Sequence, residues 1–65
     1  MGKIKILSDR DGVYQVGSII DVMQFIQAYI DHCNDKSTNE WLCVIPIPSA
    51  VNFIAEAWGI EYEFV

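Results

Sequence analysis

The spacing of apolar residues changes repeatedly along this chain, and each change marks a new element. Lys3-Ile4-Lys5-Ile6 alternates polar and apolar, the period of a half-buried strand. Ser8-Asp9-Arg10-Asp11-Gly12 follows. Asp-Gly between extended runs signals a hairpin, because glycine takes positive φ without a Cβ clash. Val13-Tyr14-Gln15-Val16 then predicts a short returning strand. Gly17 ends it, Ser18 reads as a helix N-cap, and Asp21 stands where the acid of a capping box belongs. From Ile19 to Cys33 the period is helical. Ile19, Met23, Ile26, Ile30 and Cys33 share one side, and Asp21, Gln24, Gln27, Asp31 and Asp35 the other. The spacing predicts a helix over 18–34.

Asn34 to Glu40 is polar throughout and reads as a loop. Trp41-Leu42-Cys43-Val44-Ile45-Pro46-Ile47 is continuously apolar. Its length and its aromatic and β-branched content favour a strand. Pro46 and Pro48 both lack an N–H on the same side of that strand, which places it at a sheet edge. Ser49 reads as an N-cap, Ala50 to Trp58 as a short helix, and Gly59 as the left-handed residue that ends it. Ile60-Glu61-Tyr62-Glu63-Phe64-Val65 alternates again and closes the chain as a strand.

The resulting order is β-β-α-β-α-β. Lys3 and Lys5 lie on the outer face of the first strand, and Glu61 and Glu63 on the outer face of the last. Opposite charges across a ladder contribute roughly 0.2–1 kcal/mol each, so these strands are expected to be antiparallel neighbours. The expected fold is α+β: a small mixed four-stranded sheet of order 2-1-4-3, with two helices packed on one face and right-handed crossovers. Residues 1–65 are read as a single domain.

Composition narrows the function. Nine acidic residues against four basic ones give a net charge of −5, which argues against holding a nucleic acid directly by its phosphates. Hydrophobic residues make up 52% of only 65 positions, and a body this small has little interior to hide them in. The excess implies a second copy or a protein partner that covers part of the surface. No apolar run is long enough to span a membrane, and no signal-peptide pattern opens the chain. Two cysteines do not make a disulfide scaffold. A cytoplasmic location with reduced thiols is expected.

Candidate chemistry is sparse. His32, the one histidine, adjoins Cys33, but adjacent helical residues point about 100° apart and do not face each other. It reads as a solvated residue near a helix C-terminus. Cys33, Cys43 and His32 lack the paired spacing of a zinc site, and the two thiols read as core residues. Asp9-Arg10-Asp11-Gly12 resembles a fragment of a calcium loop. Leu7 and Ser18 would then occupy its first and last ligand positions, and neither fits. The glycines form no phosphate-binding loop. Glu61 and Glu63 have lysines expected opposite them, which lowers rather than raises a carboxyl pKa. No catalytic residue, cofactor or metal is therefore expected, and the chain is not read as an enzyme.

The leading expectation is a small acidic regulatory or inhibitor-type domain that binds a protein and forms a homodimer. Interfaces are enriched in Trp and Tyr. Trp41, after the polar loop, and Tyr14, near the hairpin, are the candidate anchors, with Glu61 and Glu63 as the candidate charged contacts. A second reading is a small-molecule pocket between sheet and helices, with Gln15 and Asn52 as inward polar residues. A third is an acidic mimic of nucleic acid that occupies a basic groove on another protein.

Overall fold

The computed structural model describes residues 2–65 and arranges them as three strands and three helices. β1 (Lys3–Asp9) lies at the centre of one sheet, with β2 (Ile19–Asp21) and β3 (Ile60–Phe64) on either side. Both pairings are antiparallel. Alternation along β1 sends Ile4 and Ile6 to one face, where both are fully buried. On that face Ile4 stands opposite Ile20 and Phe64, and Ile6 opposite Tyr62. On the other face Lys5 stands between Ile19 and Glu63. The β1–β3 register shifts between Ile6 and Ser8, a bulge with Leu7 as the extra residue.

Helices α1 (Val22–His32), α2 (Lys36–Val44) and α3 (Ile47–Trp58) connect β2 to β3. The core joins Ile4, Ile6 and Ile60 of the sheet to Val22, Phe25 and Ile26 of α1 and to Ala50, Val51, Ile54 and Ala55 of α3. Among the described residues no polar or charged side chain is buried. Gly59 ends α3 at φ 68°, where its N–H reaches the carbonyls of Ala55 and Glu56.

The antiparallel pairing of first and last strands is present, with Lys5 directly opposite Glu63. The two do not close an ion pair; among the described residues the ion pairs are Arg10–Asp11 and Lys36–Glu40. The expected four-stranded 2-1-4-3 sheet with two helices is overturned by a three-stranded 2-1-3 sheet with three helices. Two segments cause the difference.

The first is residues 13–21. Val13 to Val16 forms no strand, because Asp9 draws the chain into a loop: its carboxylate accepts the N–H groups of Asp11 (3.0 Å) and Tyr14 (2.7 Å). Gly12 at φ 70° and Gly17 at φ 89° complete that excursion. The strand partner of β1 is instead Ile19–Asp21, the residues expected to open the helix. Ser18 donates to the Gln15 carbonyl rather than capping α1, and Asp21 caps it by accepting from the Met23 N–H at 2.9 Å.

The second is residues 34–48. Only Asn34 and Asp35 of the polar stretch stay outside a helix, and the apolar run expected as a strand is mostly helix α2. Asp35 nucleates it. Its Oδ1 accepts the N–H of Ser37 (3.1 Å) and of Thr38 (3.4 Å), and its Oδ2 the Thr38 hydroxyl (2.8 Å). The prolines that argued for a sheet edge act differently here. Ile45 is extended before Pro46 and stops α2. Pro48 falls in the first turn of α3, where a missing N–H breaks no helical bond. Pro46, not Ser49, takes the N-cap position, so α3 starts three residues before the expected Ala50.

Candidate functional site

α2 is an amphipathic helix with the wrong balance of faces. Thr38, Leu42 and Ile45 follow a helical spacing toward the protein, but only Leu42 is buried. Trp41 and Val44, three apart on another face, are 44% and 80% exposed. Ile47, at the start of α3, is 43% exposed, and Cys43, Pro46 and Pro48 are exposed too. Trp41–Pro48 is thus an unbroken run of eight uncharged, mostly apolar residues with one member in the core. Trp41 is held from behind by Phe53, edge to face at a centroid distance of 5.0 Å. Cys43 and Val44 also line a groove of about 620 Å³ between α2 and the end of α1, across from Ile30 and Cys33.

A second feature lies in the Asp9–Tyr14 loop. Gly12 donates to the Asp9 carbonyl at 3.2 Å, and Arg10 donates to the Gly59 carbonyl at 3.0 Å, so the loop is tied to the end of α3. Tyr14 turns inward onto Phe25 and Trp58, at centroid distances of 5.8 and 6.3 Å. Phe25 meets Trp58 edge to face at 5.7 Å, and Tyr29 and His32 flank the same indole. Between loop and indole opens a cleft of about 330 Å³, lined by Asp9, Asp11, Tyr14, Ala28, His32 and Trp58. The backbone N–H of Tyr14 chiefly holds the Asp9 carboxyl below its ordinary value; burial opposes it less strongly, and the N–H groups of Asp11, Val13 and Gly12 add smaller lowering effects. Burial first, and the Asp9 charge second, push the Tyr14 phenol up.

The four residues singled out from the sequence do not converge. Trp41 sits in the exposed run on α2, Tyr14 is half-buried at the cleft, and Glu61 and Glu63 are exposed on β3. Cys43 is exposed on a helix, not a core thiol of a strand, and both cysteines are free. His32 lies in the cleft and Cys43 in the groove. Gln15 and Asn52, expected to face a pocket, are both exposed. The alternation of Val13 to Val16 hides the cleft by suggesting a strand for Tyr14; the signal for a loop is Asp9, whose short acceptor side chain favours a turn. Among the described residues no three His, Cys, Asp or Glu side chains gather to hold a metal, and no helix is long and apolar enough to cross a membrane. No family model, curated protein or solved structure matches this chain.

Proposed function

We propose that this chain is a non-enzymatic interaction domain of the regulatory or inhibitory kind, and that it self-associates through Trp41–Pro48. The supporting observation is the uncovered run itself, continuously apolar and yet left largely on the surface. A surface rich in exposed apolar side chains is stabilised by whatever removes it from water. Two other surfaces offer less. The helix-free sheet face carries Lys5 and Glu63 beside Ile19. Antiparallel pairing of two β3 edges would set Glu61 and Glu63 against those of the second copy, which disfavours that contact. The two glutamates then act as guards of an open edge.

A stable interface needs about 600 Å² from each copy, roughly one seventh of the 4221 Å² this chain exposes. In a two-fold dimer each residue of the patch counts twice. Burying the exposed 80% of Val44 contributes about 1.2 kcal/mol per copy. Both copies together give about 2.4 kcal/mol, or roughly 50-fold in the dimer constant. Light scattering over a range of concentrations tests the reading. The native chain should move from monomer to dimer mass, and Val44→Glu should weaken that step by at least about 50-fold. A native chain that stays monomeric throughout, or a variant that dimerises equally well, refutes it.

A further inference from the structure

We propose that the cleft between the Asp9–Tyr14 loop and Trp58 binds an organic cation, an alkylammonium or guanidinium head. The cleft and the α2 run use different residues, so this proposal stands apart from self-association.

The cleft is at the small end of ligand pockets, which run from about 300 to 1,000 Å³. Its walls combine two kinds of attraction for positive charge. Tyr14 and Trp58 offer aromatic rings, whose negative faces attract a cation within about 6 Å of the centroid. Asp9 and Asp11 offer carboxylates. Ala28, Val13 and Ile60 supply apolar surface for the carbon atoms of such a head. No lysine or arginine lines the cleft, and His32 is its one basic side chain against the two carboxylates.

The site is also fixed before any ligand arrives. Asp9 Oδ1 accepts the Asp11 N–H and Oδ2 the Tyr14 N–H, which holds the carboxylate in place. The amides that hold it also keep it ionised. Phe25 and Tyr29 pack around Trp58, which limits the movement of the indole.

The chain's own cation is already drawn to the rim. The Arg10 side chain runs beside Gly59, and its Nε lies 3.4 Å from Asp11 Oδ1. That contact is exposed and therefore weak. A ligand cation competes with Arg10 for Asp11.

The test is an NMR titration of the full chain with choline, with blocked arginine amide, and with 3,3-dimethylbutan-1-ol as the neutral counterpart of choline. Saturable shifts confined to Tyr14, Ala28 and Trp58 are expected for the cations and not for the alcohol. Preference for choline assigns a free ammonium ligand; preference for the blocked arginine assigns a basic side chain of a partner. Asp11→Asn, at an exposed position, should weaken binding by about tenfold. Arg10→Gln should strengthen it by removing the competitor, and Val44→Glu should leave it unchanged. No saturable shift with either cation, equal binding of the alcohol, or affinity indifferent to both Asp11→Asn and Arg10→Gln overturns the proposal.

Discussion

Gly59→Ala probes the joint on which both the last strand and the Asp9–Tyr14 loop depend. Gly59 sits at φ 68°, a region that costs a residue with a Cβ about 1–2 kcal/mol. The added methyl would also lie 2.9 Å from Arg10 Cβ, 2.9 Å from Arg10 Nε and 3.0 Å from Arg10 Cζ. The guanidinium end can swing away, at about 0.5–1.5 kcal/mol for an off-rotamer side chain. The Cβ cannot, because Arg10 N–H is bonded to the Gly59 carbonyl at 3.0 Å. The sum is about 2–3 kcal/mol, out of a total stability of about 3–10 kcal/mol for a chain this long. In a domain of this size it lowers Tm by about 10–20 °C. Thermal and urea unfolding followed by circular dichroism measure it. Arg10→Ala combined with Gly59→Ala should restore the guanidinium part and leave the backbone part. A Gly59→Ala variant within about 2 °C of the native chain refutes the reasoning.

Phe25→Ala removes a fully buried ring that touches Tyr14 and Trp58; at about 3–5 kcal/mol this consumes most of the stability available, and the variant should lack a cooperative unfolding transition by calorimetry. Alkaline titration followed at 295 nm should place Tyr14, Tyr29 and Tyr62 above their ordinary 10.0, in each case chiefly because burial penalises the phenolate. The native tyrosines give up their protons later than the unfolded ones, so the stability they contribute is complete below pH 10 and is lost as pH rises through the native values. Urea midpoints that stay level from pH 9 to pH 12 contradict this.

Local signals that agreed with their surroundings were legible in the sequence. The β1 and β3 alternation, the opposed charges of Lys5 and Glu63, and the glycine stop at Gly59 all appear in the structure where the pattern placed them. The misreadings fall where a short polar side chain decides between two outcomes. Asp9 turns the chain after β1 and Asp35 starts α2, each through bonds to backbone N–H groups that hydrophobic spacing does not register. Ile19 and Ile20 suit strand or helix by periodicity, and Asp21, capping α1 after them, settles the choice. The two aromatic candidates lie in different surroundings from those the pattern predicts. Trp41 is exposed, but on a helix instead of a strand, while Tyr14 belongs to an aromatic cluster over a cleft.

Residues 34–48 depart furthest from the expected pattern. The length of the apolar run and its aromatic and β-branched content suit a strand, and its prolines suit a sheet edge. With Asp35 capping a helix and Pro46 ending it, the same residues form an exposed turn-and-helix surface. Trp41, Val44 and Ile47 are left exposed on it.

Amide hydrogen exchange across 36–48, measured at low and high protein concentration, tests this most directly. Self-association through α2 predicts protection there that climbs with concentration, while β1 and β3 exchange at unchanged rates. Rates in α2 that ignore concentration, or protection that climbs instead along β3, would contradict it.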